Sequence, residues 1–285
     1  MADKLIINAA ITGMVPTKRD NPSVPLSVEE IVAEAGRVRD AGAAIIHVHA
    51  RDAQGRPSCD LATNRRIVDG IRAACPDLII SGSTSGRVFG DAAQRMVALE
   101  TDVDLASLTL GSMNFPTGPS INSPDMIRQL AQRMGERGIV PELECFDLGM
   151  IDYARDYLLP KKILGAPLYF NLLLGSLGTA AATPGNLATL VRALPPGATW
   201  AGADIGRFQF EMNRAAIELG GHIRVGLEDN LWFDAEKTSP ATNSGLIERM
   251  VKIARAAGRE PATAREAREM IGLRPRVPVA GGRRP

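Results

Sequence analysis

Short runs of apolar residues recur along the chain at strand length, and between them apolar positions repeat with helical spacing. The strand-like runs are 4–12, 43–51, 77–85, 104–111, 139–146, 167–175, 199–205 and 222–228. Helical periodicity fills 28–41, 64–74, 92–100, 124–138, 153–162, 185–193, 208–219 and 244–257. Ser27, three residues before Glu30, and Ser123, just before Pro124, read as helix starts. Strands rich in Val, Ile, Leu and small residues, alternating eight times with helices, predict a closed (β/α)8 TIM barrel. It occupies one domain over 1–273, and 274–285 is left as a short C-terminal tail. An open doubly wound sheet would show Gly-x-Gly-x-x-Gly after its first strand, and the segment from Ala10 to Val15 lacks it. The long segments 13–27, 115–123 and 176–185 all follow strand C-terminal ends, where a barrel builds its active-site lid.

Composition narrows the class. The 285 residues are 45% hydrophobic and 23% charged, with a formal net charge of +1, so charge offers no argument for nucleic acid or an acidic membrane. The Arg-rich stretch from Arg274 to Arg284 is read as a solvated arm. No apolar run approaches the roughly 18 residues of a membrane span, and the N-terminus lacks a signal-peptide core. Cys59, Cys75 and Cys145 are odd in number and widely spaced, which argues for a reducing compartment and against a disulfide scaffold. The expected setting is the cytoplasm.

Candidate chemistry begins at His47 and His49. Side chains two apart on a strand share a face, so the imidazoles converge and make half of a tetrahedral metal shell. The bland alternative is two polar residues hydrogen-bonded to backbone. In the last strand, alternation puts Arg224, Gly226 and Glu228 on one face, with Glu228 at the C-terminal end. The second and eighth strands flank the first, so His47, His49 and Glu228 fit a site of two imidazoles and one carboxylate with an open fourth position. A rim carboxylate paired with Arg224 or Arg51 fits Glu228 equally well. Arg224 and Asp229 read either as an ordinary ion pair or as an anion clamp beside the metal. Glu142 and Glu144, at period two, send two carboxylates inward. Ser81, Ser83 and Ser85 share a face at the end of the third strand, and Ser107, Thr109 and Ser112 cluster at the end of the fourth. Of six lysines, none lies near a strand C-terminal end, which disfavours a Schiff-base aldolase. The remaining histidine, His222, starts its strand at the opposite mouth, and no nucleophile elbow or Walker loop is present.

Three stretches carry a resemblance: residues 45–58 around His47-Val-His49, Pro141-Glu-Leu-Glu144, and 220–230 through Glu228-Asp229-Asn230. Together with Ala10-Ile-Thr-Gly13 and Ala267-Arg268 near Ile271, they resemble the β-keto acid cleavage enzymes over nearly the whole chain. The resemblance implies a (β/α)8 barrel, usually a homotetramer, with Zn2+ or another divalent metal on His47, His49 and Glu228. It implies the exchange of a β-keto acid with acetyl-CoA to give acetoacetate and a new acyl-CoA. It also implies an Arg224–Asp229 dyad assisting deprotonation, Glu144 as a further acid, Ser83 on the substrate carboxylate, and Ser107 or Thr109 as another contact. A family member acting on an amino-bearing substrate carries an acid after its first strand, where this chain has Met14-Val15. Val15 is therefore expected to face a neutral or apolar acyl tail, since an unpaired buried ammonium costs roughly several kcal/mol. The competing readings are a metal-dependent aldolase or hydrolase without CoA, and a barrel whose metal is structural.

Overall fold

A computed structural model describes residues 4–116 and 118–276. Eight parallel strands close into a barrel in chain order: β1 (Ile7–Ala10), β2 (Ile45–Val48), β3 (Ile79–Gly82), β4 (Leu105–Thr109), β5 (Val140–Cys145), β6 (Tyr169–Leu172), β7 (Thr199–Gly202) and β8 (His222–Val225). The closure pairs β8 with β1, setting Arg224 against Asn8. The fold is the expected TIM barrel.

The helices form the outer ring. Helix α1 (Val28–Ala41) begins with a full capping box between Ser27 and Glu30 and ends at Gly42, whose φ of 117° needs glycine. Helix α2 spans Leu61–Ala74, α3 spans Ala92–Arg95 and runs into a 3-10 turn at Val97–Glu100, and α4 spans Pro124–Arg137, capped by Ser123. Helix α5 (Leu148–Asp152) continues as a π-helical stretch, Tyr153–Leu158, so the fifth helix starts five residues before its periodicity suggests. Asp147 explains the early start, because its side chain accepts from the Met150 amide. Helices α6 (Pro184–Ala193), α7 (Gln209–Glu218) and α8 (Asn243–Ala256) complete the ring. Helix α9 (Ala264–Ile271) is an element that the periodicity analysis did not resolve.

Two cores explain where polar groups stand. Alternate strand residues such as Ile7, Ile46, Ile80 and Leu143 face the helices and are buried there. The inward residues of the lowest layer, Ile45, Ile79, Leu105, Tyr169 and Ala201, form a separate apolar floor with Ala267, Ile271 and Leu273. Helix α9 thus plugs the N-terminal mouth. Above this floor the inward residues turn polar, with His47 against Ser81, Ser107 against Glu142, and Glu144 against Asn171. Chemistry is confined to the C-terminal half of the barrel, as in TIM-barrel enzymes. Of the tail expected from 274, residues 274–276 are described, and Arg276 reaches Asp104 at 3.3 Å; the rest lies outside the described residues. No helix among the described residues is long and apolar enough to cross a membrane.

Candidate active site

The loops at the C-terminal rim enclose a cavity of about 680 Å³. His47, His49, Ser83, Ser107, Thr109, Glu144, Arg224, Glu228, Asp229 and Val15 all line it. The metal-ligating, catalytic and substrate-binding candidates therefore meet in one place.

Its centre is a triangle of donors. The Nε2 atoms of His47 and His49 lie 3.2 Å apart, and His49 Nε2 lies 3.1 Å from Glu228 Oε1. A tetrahedral ion with bonds near 2.0–2.1 Å holds its ligand atoms about 3.3 Å apart, so this spacing fits a zinc-like cation. Glu228 Oε2 is buried without a hydrogen-bond partner and lies 3.9 Å from His47 Nε2. Three donors make up the cluster among the described residues, and the cavity covers the open side.

The tautomer of His47 is set from below. Ser81 donates its hydroxyl proton to Glu142 Oε2, so its oxygen accepts from His47 Nδ1–H at 3.2 Å. The Nε2 lone pair then faces the triangle. Glu142 also lies 3.4 Å from His47 Nδ1 and accepts amide N–H groups from Asn8 (2.6 Å) and Asn171. Burial raises the Glu142 pKa, but His47, Arg224 and Ser81 outweigh it and hold it at about 2. Burial lowers the His49 pKa and keeps that imidazole neutral, whereas at His47 the fields of Glu228 and Glu142 exceed the burial effect and raise it.

Arg224 organises the acids. Its side chain is 2% exposed and donates to Asp229 Oδ2 at 2.9 Å, Glu228 Oε1 at 2.8 Å and Glu144 Oε1 at 3.2 Å. Three half-buried carboxyl groups, Glu144, Glu228 and Asp229, thus pair with one guanidinium, and the buried Glu142 adds to its field. That excess of negative charge is a second reason a divalent cation fits. Burial raises the Asp229 pKa, Arg224 opposes it, Glu228 adds to it, and the net shift is upward. Burial likewise outweighs Arg224 at Glu144, raising its pKa.

Glu228 arrives by a route the alternation argument did not foresee. Strand β8 ends at Val225, and the chain turns at Gly226, where an added Cβ would lie 2.1 Å from the Ala10 carbonyl oxygen. The turn is fastened by Asn243 Oδ1, which accepts from Leu227 N at 2.9 Å, and by Glu228 N donating to Ala10 O at 3.0 Å. Strand parity is thus corrected: Glu228 and Asp229 enter the cavity from a turn. The Arg224 pairing weighed for Glu228 is present, while Arg51 donates instead to the carbonyls of Gly13, Pro16 and Gly55.

Several functional groups were missed. Asn8 and Asn171 are lone amides inside apolar strands, a visible signal, and Glu142 is expected to face inward but carries no role of its own in the sequence. The segment after β8, with Trp232, Phe233 and Lys237, forms a cavity wall, as do Arg87 after β3 and Arg207 after β7. No periodicity marks those loop side chains. Thr109 donates to Glu144 Oε2 at 2.6 Å, and Ser107 Oγ accepts from Thr84 N at 3.0 Å.

The fold and the donor triangle define a barrel enzyme with a centre suited to a divalent cation. Comparison with known proteins places it more closely: the family model for beta-keto acid cleavage enzyme matches residues 4–273. The chain belongs to that family. It is 41% identical over 275 residues to the 3-keto-5-aminohexanoate cleavage enzyme of Fusobacterium nucleatum, covering 96% of this chain and 100% of the relative. It is 40% identical over 276 residues to the 3-oxoadipate:acetyl-CoA acetyltransferase of Cupriavidus necator, with 96% of each covered. Among solved structures, apo ObcA shares the fold with a TM-score of 0.78 at 23% identity, over 88% of this chain and 66% of that one.

Proposed function

We propose that the protein exchanges the acyl group of a β-keto acid with acetyl-CoA, giving acetoacetate and a new acyl-CoA, with zinc held by His47, His49 and Glu228. The observation that carries this reading is the three-donor triangle opening onto a cavity that also presents Arg224, Asp229 and Ser83. A divalent cation there supplies fixed positive charge for the oxygen that gains negative charge as carbon–carbon bonds form and break. The names of the family's relatives supply acetyl-CoA as the co-substrate.

The residues divide the work by their hydrogen bonds. Ser83 Oγ accepts from Ser85 N at 3.2 Å and Ser107 Oγ accepts from Thr84 N at 3.0 Å. Each hydroxyl keeps its own proton to donate to the substrate carboxylate. The Thr109 proton is committed to Glu144, so Thr109 acts by orienting that acid. Asp229, with its pKa raised by burial and its carboxylate gripped by Arg224, takes the proton from the carbon between carboxylate and ketone. That carbon bonds to the acetyl carbonyl carbon and the CoA thiolate leaves. The thiolate adds to the original keto carbon, the old carbon–carbon bond breaks, and the returning proton completes acetoacetate. Val15, 45% exposed, stands in the wall offered to the acyl tail.

The working form in this reading is a cytosolic homotetramer, a barrel over 1–273 with a short tail, and its three free cysteines suit a reducing compartment. The test is metal analysis with mass spectrometry of acyl-CoA products from a panel of β-keto acids. Zinc at one per chain and a new acyl-CoA, both lost in His47→Ala, are expected. Acyl exchange by metal-free protein would overturn the reading.

A further inference from the structure

Arg95, at the end of α3, is 3% exposed and ties together two loops that face the cavity. Its Nε donates to Thr84 O at 2.8 Å, in the loop that carries Ser83. Its Nη1 donates to Ile121 O at 3.1 Å and its Nη2 to Asn122 Oδ1 at 2.6 Å. These acceptors follow the hairpin of Met113–Phe115 and Gly118–Ser120. Asn122 extends the tie, with its Nδ2 donating to Gly111 O at 3.0 Å and its backbone N–H to Ser112 Oγ at 2.8 Å. Thr84 fastens the other end to β4, its N–H donating to Ser107 Oγ at 3.0 Å and its hydroxyl to Ser107 O. The junction is close-packed: a Cβ on Gly86 would lie 2.7 Å from Arg95 Nη1 and from Ile121 O.

All three acceptors of this guanidinium are neutral, whereas Arg224 is matched by three carboxylates. Burial lowers the Arg95 pKa to about 10 and the field of Glu144 opposes that shift, so Arg95 stays charged at neutral pH. A charge buried without a counter-ion costs stability, and an anion bound beside it offsets that cost. His49, Ser83 and Ser85 line both the active-site cavity and a smaller one of about 30 Å³, and Arg95 lines only the smaller one. Those three residues are thus part of the wall between the guanidinium and the substrate. At the cavity centre Glu144, Glu228 and Asp229 outnumber Arg224, so an incoming carboxylate is better placed on the β3 side, against Ser83.

We propose that Arg95 is the positioning residue for the substrate carboxylate: it fixes the Ser83 loop, and its charge, acting through that wall, favours an anion there. It touches no substrate atom. The inference deepens the acyl-exchange reading and rests on it for the identity of the ligand.

The test compares acetoacetate with acetoacetamide, which keeps the ketone and replaces the carboxylate with a neutral amide. Binding of each to zinc-loaded protein is measured by calorimetry without acetyl-CoA. The wild type is expected to favour acetoacetate by about tenfold or more, because a buried charge is little screened. Arg95→Gln is expected to cut that ratio by about tenfold, while Arg95→Lys, which keeps the charge but not the three-way tie, retains most of it. Asn122→Asp leaves Arg95 in place, sets a carboxylate against its Nη2, and is expected to cut the ratio as well. Loss of the tie alone would weaken both ligands alike. Circular-dichroism melting identifies the folded variants. A ratio within about threefold of wild type in folded Arg95→Gln, or in Asn122→Asp should Arg95→Gln not fold, would overturn the proposal. Equal affinity for the two ligands in the wild type, or as large a loss in Arg95→Lys as in Arg95→Gln, would overturn it too. The expected pattern of binding in a protein that exchanges no acyl group would overturn the acyl-exchange reading and support the assignment of Arg95.

Discussion

Replacing Glu142 with glutamine changes a buried side chain by one atom and isolates what lies beneath His47, a proposed metal ligand. Glu142 is 0% exposed, and at a pKa of about 2 it is a carboxylate throughout the working range. Its Oε1 accepts from the amides of Asn8 and Asn171, and its Oε2 serves Ser81 and His47. The introduced amide keeps one oxygen for the two asparagines and turns its NH2 toward Ser81. Ser81 must then accept from that NH2, which sends its own proton to His47 Nδ1. The imidazole proton moves to Nε2, the atom that faces His49 and Glu228, and blocks the lone pair a cation needs. Loss of a carboxylate behind a ligating histidine costs roughly 10- to 100-fold in metal affinity, or about 1.4–2.7 kcal/mol. The tautomer reversal pushes the expected loss to the upper end. Competition with a chromophoric chelator at neutral pH measures it, and 15N shifts of the imidazole report the tautomer in the metal-free protein. A zinc affinity within threefold of wild type, in a folded Glu142→Gln protein, would refute the reasoning.

Other outcomes follow from the same geometry. Gly226→Ala drives a methyl against the Ala10 carbonyl, so Glu228 and Asp229 must shift; zinc content and activity fall together, as metal analysis of the purified variant checks. Asp229→Asn removes the proposed proton acceptor while leaving the triangle intact; kcat drops roughly 100-fold or more with zinc retained, whereas wild-type kcat would remove Asp229 from the mechanism. Asp104 on the barrel underside pairs with Arg72 at 2.6 Å and Arg268 at 2.8 Å. Burial raises its pKa, but those arginines win and lower it, so its stabilisation is present above the unfolded value near ~3.9 and is lost as pH falls through the lower folded value. Asp104→Asn costs about 3–5 kcal/mol by denaturant titration at neutral pH, and its deficit narrows on acidification; an undiminished deficit in acid would count against this assignment.

What could be read from the chain follows the physics of each signal. The barrel and the His47–His49 convergence rest on period-two alternation, which a strand enforces, and both are present. Alternation assigns Glu228 to the cavity by its spacing from Arg224, but it gives no warning that the strand ends at Val225 and that a turn at Gly226 carries Glu228 there. Glu142 and Glu144 share a face as expected, yet alternation does not say which one lies under His47 and which lines the cavity. Register with β4 and β6 decides that. Arg87, Arg207 and Trp232 sit on loops, where side-chain direction depends on contacts made by distant residues such as Arg95 and Phe115. Helix α9 is short, and its apolar face is defined by the floor it plugs.

Tracing the acetyl carbon tests the central claim most directly. Acetyl-CoA labelled with 13C at its carbonyl carbon is incubated with an unlabelled β-keto acid and zinc-loaded enzyme, and both products are followed by NMR. The label is predicted in the ketone carbon of acetoacetate, with the new acyl-CoA unlabelled and neither product formed by His47→Ala. Label recovered as free acetate, or equal turnover by His47→Ala, would contradict acyl exchange at the His47–His49–Glu228 centre.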